Sequence, residues 1–162
     1  MNIYEFLKTG ILGKLSLEDT EESLHQKFDK KWLGEKLFPD ANYKDVYYYY
    51  ADEGSIEICV QFGEVAHFNI LPYGQKFYIA SSQTEKCWLG DIATLEQFIQ
   101  LLNSAGTSWA FYSRYCLRKQ VTLITEGNVL ITLMYDEQEP PYLAKLQVSS
   151  SAVFGDSSKI HS

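Results

Sequence analysis

The clearest pattern of apolar and polar positions in the chain lies in residues 56–62. Apolar and polar side chains alternate there one by one, in the order Ile56, Glu57, Ile58, Cys59, Val60, Gln61 and Phe62. A period of two predicts a β-strand with one buried face. Gly63 and Glu64 are predicted to form a two-residue hairpin turn with glycine first, and residues 65–71 are predicted to form the returning strand.

Two helices are predicted from capping signals that precede apolar residues at helical spacing. Ser16 lies three residues before Asp19, which predicts that the first helix begins there with an acidic first turn. Thr94 and Gln97 form a capping-box pair before the second helix, and Gly106 is expected to end it.

The remaining strands are predicted from aromatic and β-branched runs between turn residues. They are expected at residues 47–50, 76–80, 120–125, 129–135 and 142–148. The run from Tyr47 to Tyr50 should place two rings on each face of the sheet, because side chains alternate along a strand. Residues 149–162 are rich in serine, and we expect a mobile tail there.

The two halves of the chain share one pattern. Residues 53–62 and 126–135 both begin with Glu-Gly and continue with four apolar positions at a period of two. We therefore predict an α+β fold of two fused helix-plus-antiparallel-meander units, in one continuous, mainly antiparallel sheet with the helices on one face. The compact domain is expected to span residues 1–148, with halves of about 1–82 and 83–148. The alternative is a single α+β sheet with two unrelated hairpins.

Composition indicates a folded, acidic protein. The chain has 162 residues, of which 46% are hydrophobic, so a substantial core is expected. Its formal net charge is -7, from 21 acidic and 14 basic side chains. This balance argues against binding to nucleic acid or to an anionic membrane, because both depend on lysine and arginine. The first residues lack a signal-peptide pattern and no apolar run is long enough to span a bilayer, so a cytoplasmic location is expected.

The sequence contains no recognisable motif for catalysis, a metal or a cofactor. The three histidines and three cysteines are scattered, without the spacing of a metal site or a redox pair. We expect Cys59, Cys87 and Cys116 to be reduced packing residues that are buried or half-buried. An enzyme that uses scattered carboxylates is therefore the lowest-ranked hypothesis.

Two groups of residues are candidates for partner binding. The first is the acidic helix start, which consists of Glu18, Asp19, Glu21 and Glu22. The second combines the exposed part of the tyrosine run with the acids that follow it, namely Tyr48, Tyr50, Asp52 and Glu53. Exposed tyrosines beside acids resemble the composition of protein interfaces. Helix-dipole complementation and cross-strand stacking within the sheet are the alternative explanations for these two groups.

One longer pattern joins these features. In the first half, residues 11–16 are followed by the acidic helix, then by the tyrosine-rich strand, and then by the segment from Gly54 to Ile58. In the second half, residues 101–109 followed by residues 121–135 resemble the same pattern. This arrangement resembles the small bacterial immunity-type proteins that are encoded near polymorphic toxins. The resemblance implies a protein that neutralises a toxin by tight binding, without turnover or a cofactor.

These observations lead to two hypotheses about function. The first is a non-enzymatic protein that occludes the active surface of a toxin with its sheet or with its acidic helix start. An acidic surface would favour association with a basic toxin, such as one of the nuclease type. The alternative is a cytosolic domain that holds a small ligand between its two halves. Neither hypothesis involves nucleic acid, a membrane or a cofactor.

Overall fold

The computed structural model describes residues 1–136, 140–152 and 154–155. The helices of this part of the chain are α1 (Tyr4–Thr9), α2 (Glu21–Lys27), α3 (Lys30–Leu33), α4 (Ala51–Gly54) and α5 (Leu95–Ser104). The strands are β1 (Lys36–Leu37), β2 (Val46–Tyr50), β3 (Ile56–Gln61), β4 (Glu64–Ile70), β5 (Tyr78–Ser81), β6 (Thr84–Trp88), β7 (Trp109–Phe111), β8 (Gln120–Thr125), β9 (Val129–Met134) and β10 (Tyr142–Ser149). Among the described residues, none of the helices has the length and apolar character that crossing a membrane requires.

Eight of these strands form one antiparallel sheet, in the order β1-β2-β3-β4-β10-β9-β8-β7. The two halves of the chain meet at its centre, where Ile70 of β4 lies opposite Leu146 of β10 and Phe68 lies opposite Val148. β3 and β9, which follow the two Glu-Gly turns, each lie third from their own edge of the sheet. The predicted α+β fold, with two antiparallel meanders in one continuous sheet, is therefore confirmed.

The helices pack against one face of this sheet. Leu24 of α2 and Phe98 of α5 belong to the same buried cluster as Phe68 and Ile131 of the sheet. A smaller cluster covers part of the second half on the opposite face, and its buried members are Tyr112, Ile124, Leu130 and Ala152. Five of the six residues of β9 are buried, as expected for a strand that is apolar on both faces.

The first of the two predicted helices corresponds to α2, which begins at Glu21, so the predicted start at Ser16 is wrong. Thr20 is the capping residue: its hydroxyl accepts the Ser23 N–H at 3.2 Å, and the Ser23 hydroxyl accepts the Thr20 N–H at 3.0 Å. The Ser16 N–H instead donates to the Asp19 carboxylate at 2.9 Å. Asp19 therefore closes a turn that precedes the helix, whereas the prediction placed it in the first helical turn.

The turn of the first hairpin also differs from the prediction. Gln61 lies opposite Glu64, so the two-residue loop consists of Phe62 and Gly63. Both residues have positive φ angles, 51° and 81° respectively, which is typical of a type I′ turn. The predicted turn at Gly63 and Glu64 was wrong because the apolar side chain of Phe62 extended the alternating pattern by one residue.

The second half follows the prediction more closely. Thr94 and Gln97 form the predicted capping box of α5, and Gly106 after its end has a φ angle of 68°. The sequence predicted the first strand of the β5–β6 hairpin but not the second, because β6 carries few apolar residues. The expected boundary between the halves, near residue 82, lies in the turn of this hairpin.

The predicted mobile tail begins inside packed structure. Ser149 is the last residue of β10, and Ala152 is only 3% exposed. The first residues of the expected tail therefore belong to the folded part of the chain, because β10 continues to Ser149 and Ala152 packs against the sheet. Residues 153 and 156–162 lie outside the described residues.

Candidate functional site

The acidic helix start does not form one exposed patch. Asp19 is 3% exposed, accepts the Ser16 N–H at 2.9 Å and the Ser23 hydroxyl at 2.6 Å, and forms an ion pair with Lys27. Burial acts to raise the pKa of Asp19, but hydrogen bonds from Lys27, Ser23 and Ser16 outweigh it and hold the pKa below its ordinary value. Asp19 is therefore a structural residue and lies outside any exposed binding surface.

Glu21 joins α2 to the neighbouring strands. Its carboxylate accepts the Tyr49 hydroxyl at 2.8 Å and forms an ion pair with Lys36, while the Nε2 atom of His25 lies 3.2 Å from the Tyr49 oxygen. Burial acts to raise the pKa of Glu21, but hydrogen bonds from Lys36 and the tyrosine lower it to about 2. Burial and Glu21 also raise the pKa of Tyr49, so this tyrosine is a fixed hydrogen-bond donor.

We expect the fold to lose stability as the pH falls from 4.5 towards 2. Asp19 and Glu21 both have a lower pKa in the folded chain, so each stabilises the fold fully above its unfolded pKa. The contribution of Glu21 is complete above about pH 4.5 and is lost as the pH falls through about 2; that of Asp19 is lost in the acid range below its ordinary pKa of 3.8. Glu21 alone should contribute about 2 kcal/mol, because it and its partner Lys36 are partly exposed. Urea unfolding in a series of buffers between about pH 7 and pH 2.5 measures this loss.

The matched variant for this measurement is Glu21→Gln. It removes the titrating group but keeps an oxygen that can accept the Tyr49 hydroxyl. Its free energy of unfolding should therefore change less over the acid range than that of the unmodified chain. An equal change in both proteins would show that Glu21 does not contribute to acid unfolding.

Phe62 occupies the tip of the first hairpin with its ring in solvent. The side chain is 80% exposed, its φ angle is 51°, and its N–H donates to the Asp45 carbonyl at 2.8 Å. A left-handed conformation costs a bulky residue about 1–2 kcal/mol, and Asn or Gly is the usual residue here. Sequence reasoning missed Phe62 by assigning it to the buried face of β3, although the following Gly63 indicated a turn.

The start of α2 lies beside this hairpin tip. The Glu21 N–H donates to the Gly63 carbonyl at 2.8 Å, and Thr20 forms a bridge with Glu64. Glu22 and Glu64 are exposed, and both adjoin this backbone contact between α2 and the hairpin. We call Glu22, Phe62 and Glu64 the hairpin surface, which combines an aromatic ring with two carboxylates.

The helix-free face of the sheet carries an open cleft at its first edge. This aromatic cleft has a volume of about 350 Å³ and is lined by Leu37, Phe38, Pro39, Tyr48, Tyr50 and Glu57. Tyr48 is half-buried and Tyr50 is 42% exposed, whereas Tyr47 and Tyr49 are buried. The predicted alternation of the tyrosine run is therefore confirmed. Oε1 of Glu57 accepts the Asn69 side-chain amide at 2.8 Å.

Cys59 and His67 lie next to the aromatic cleft but do not form an activated nucleophile. A hydrogen bond with Cys59 and burial raise the pKa of Tyr48 to about 12, and burial raises the pKa of the Cys59 thiol. Burial also lowers the pKa of His67, whose ring centroid lies 6.1 Å from that of Tyr48. An activated cysteine needs a lowered pKa and access to solvent, and Cys59 is fully buried.

The other two cysteines differ in their exposure. Cys87 is half-buried, but Cys116 is exposed, and all three cysteines are free thiols. The expectation that all three would be buried or half-buried is therefore wrong for Cys116. Cys116 follows a short 3-10 turn at the surface, Ser113–Tyr115, and its thiol donates to the Tyr112 carbonyl at 3.5 Å and to the Thr122 carbonyl at 3.6 Å.

Asp52 and Glu53 do not line the aromatic cleft with Tyr48 and Tyr50. They form the tight turn after β2, with φ angles of 49° and 58°. Lys76 lies 3.2 Å from the Asp52 carboxylate and 3.6 Å from that of Glu53. These acids therefore bind a lysine of the same chain, while Tyr48 and Tyr50 face the aromatic cleft.

A second cleft lies where the two halves of the chain meet. It has a volume of about 340 Å³ and is lined by residues 9–11, residues 16–18, Gly127, Asn128 and the end of β10. Glu18, from the predicted acidic group, belongs to this cleft. It is separate from the hairpin surface and from the aromatic cleft.

No protein-family model, curated protein or solved structure matches this chain. Within the described ranges, no group of three or more His, Cys, Asp or Glu side chains is placed to hold a metal ion. The fold defines an acidic α+β protein of two related halves. Its functional interpretation therefore depends on the hairpin surface and the two clefts.

Proposed function

We propose that this chain is a non-enzymatic protein of the immunity type, which neutralises a basic toxin by occluding its active surface. The observation that supports the proposal most directly is the exposed ring of Phe62, which is held in a left-handed turn. Backbone strain at an exposed aromatic residue is typical of functional sites. A partner pocket that buries the ring would offset the cost of this conformation.

The charges around Phe62 suggest the chemistry of the partner. Glu22 and Glu64 are exposed and adjoin the backbone contact between α2 and the hairpin that carries Phe62, and the whole chain carries a net charge of -7. Acidic side chains at the rim of an interface accelerate association with a basic protein, whereas buried aromatic rings supply most of the affinity. The hairpin surface provides both, so the proposed partner is a basic protein with an apolar pocket.

Replacing Phe62 with Asn tests this proposal. The variant Phe62→Asn creates Asn-Gly, the preferred pair for a type I′ turn, so the free chain should become about 1 kcal/mol more stable. Binding to the partner should weaken by roughly tenfold or more, because the anchoring ring is lost. Urea unfolding measures the first effect, and affinity capture from the native host with wild-type and variant baits identifies the partner and measures the second.

Two further measurements complete the test. The variants Glu22→Lys and Glu64→Lys should slow association with the captured protein at low salt, with a smaller effect at high salt. Co-expression of the chain should restore the growth of cells that produce this protein. Equal capture by the wild-type and Phe62→Asn baits would contradict the proposed role of the hairpin surface, and a failure to restore growth would contradict neutralisation.

The alternative, a domain that binds a small ligand between its halves, is favoured by the cleft beside Gly127. The substitution Asn128→Ala changes a side chain that lines this cleft and lies away from the hairpin surface. Under this alternative, the variant would lose a thermal stabilisation that a small-molecule extract of the host gives to the wild-type chain. Under the immunity proposal, the extract gives no stabilisation to either protein.

A further inference from the structure

The aromatic cleft has the composition of a site for an organic cation. Tyr48 and Tyr50 line it together with Phe38 and Glu57, and the Phe38 ring also contacts the ring of Tyr47, with centroids 5.7 Å apart. Aromatic rings attract ammonium groups through their negative faces, and clusters of rings are the usual receptors for alkylammonium ligands. A carboxylate within the same cleft adds direct charge complementarity.

The fold already contains lysine ammonium groups that lie over aromatic rings. The ammonium group of Lys86 lies 3.8 Å from the Trp88 ring centroid and 4.2 Å from that of Tyr78. Lys36 lies 4.0 Å from the Tyr47 ring centroid, and it forms an ion pair with Glu21. The Lys36 ammonium is therefore engaged on the helix side of the sheet, while the aromatic cleft opens on the opposite face.

The hydrogen bonds that Glu57 already forms favour a lysine ligand over an arginine ligand. Its Oε1 atom already accepts the Asn69 amide at 2.8 Å, and the carboxylate also interacts with the Tyr50 hydroxyl, so a ligand in the cleft meets a carboxylate whose acceptor positions are already partly used. Arginine is favoured where both oxygens accept a planar, two-pronged donor, whereas lysine binds as a point charge. The arrangement therefore fits a single ammonium group best.

We propose that the aromatic cleft binds the side chain of a lysine, which the basic partner inserts between Tyr48, Tyr50 and Glu57. The identity of the protein that supplies the lysine depends on the proposed function, but the chemistry of the cleft does not. The cleft includes Glu57 of β3, and Phe62 of the hairpin surface directly follows the end of the same strand. One partner could therefore occupy both, with the ring of Phe62 and the lysine as separate anchors.

The test uses small probes, so it does not require the partner. The first probe is Nα-acetyl-lysine-N-methylamide, and the second is the norleucine analogue, which has no ammonium group. The lysine probe should cause saturable changes in the backbone amide resonances of Tyr48, Tyr50 and Glu57 in NMR spectra. The norleucine probe should bind roughly fivefold more weakly or not detectably.

A pair of matched variants assigns the effect to the cleft. Glu57→Gln removes the charge but retains an oxygen for the Asn69 amide, and it should weaken lysine binding at least fivefold. Glu53→Gln removes a charge from a neighbouring side chain that is 88% exposed, and it should leave binding unchanged. The same spectra show whether each variant is folded.

Three outcomes would overturn the inference. Equal binding of the lysine and norleucine probes would indicate an apolar groove without cation selectivity. Equal weakening by Glu57→Gln and Glu53→Gln would indicate general attraction to an acidic surface. Tighter binding of the corresponding arginine probe would contradict the argument from the partly used carboxylate. Each of these results would leave the test of Phe62 unaffected, so the two proposals can fail separately.

Discussion

The variant Asp19→Ala is expected to lose about 3 kcal/mol of unfolding free energy. The carboxylate is 3% exposed and is held by the Ser16 N–H, the Ser23 hydroxyl and the Lys27 ammonium. Its removal leaves the Ser16 N–H without its acceptor and the Lys27 charge without its counter-ion, although Lys27 and Ser23 each keep a carbonyl acceptor, and this is more costly than the loss of an exposed ion pair. Because Lys27 is 37% exposed, water can solvate its charge, so the cost should lie at the lower end of the range for buried pairs.

Urea unfolding of Asp19→Ala and Glu22→Ala provides the comparison. Both residues belong to the acidic group predicted from the sequence, but Glu22 is exposed, so its replacement should change stability by less than about 0.5 kcal/mol. Asp19→Asn should fall between the two, because it retains one acceptor oxygen. Similar small losses for Asp19→Ala and Glu22→Ala would contradict the structural role of Asp19.

The difference in burial between Asp19 and Glu22 changes the experiment that the sequence alone suggests. That experiment reverses all four charges of the acidic group in order to test electrostatic steering of a partner. The structure shows that a lysine at position 19 would be buried opposite Lys27, and that Glu21 holds Tyr49 and Lys36. A quadruple variant would therefore unfold the protein, and slow association would not identify a binding surface.

The sequence could predict the elements whose signals are local. The alternation in β3 and the capping box of α5 depend on residues within a few positions of each other, and both predictions are confirmed. The shared Glu-Gly pattern also predicted the relation between the halves. In contrast, α1 and the edge strands β1 and β7 are only two to six residues long, which is too short for a period to be recognised.

The candidate site could be predicted only in part for the same physical reason. Alternation along β2 correctly placed Tyr48 and Tyr50 on the helix-free face. Leu37 and Glu57 join them through pairing between strands, opposite Tyr48 and Tyr50 respectively, and no local pattern indicates that pairing. Likewise, the neighbouring acids Asp19 and Glu22 differ in burial because the chain turns between them, so residue type alone could not separate them.

The variant Gly127→Ala should be the most damaging small substitution at the junction of the two halves. A methyl group there would lie 2.6 Å from the Thr9 nitrogen and 2.7 Å from the Gly10 nitrogen, in contact with the backbone at the end of α1. The turn is also fixed by the hydrogen bond from the Thr125 hydroxyl to the Leu7 carbonyl, at 2.6 Å. Because rigid backbone must move apart, we expect a loss of about 3 kcal/mol.

Gly54 is the natural control, since it occupies the equivalent place in the first Glu-Gly turn. Its φ angle is 83°, but a methyl group there would meet no atom within 4 Å. Gly54→Ala should therefore cost only the conformational strain, about 1 kcal/mol. Urea unfolding of the two variants should show the larger loss for Gly127→Ala. Equal losses would mean that both glycines serve only the turn, and that close packing of α1 against the second half contributes little to stability.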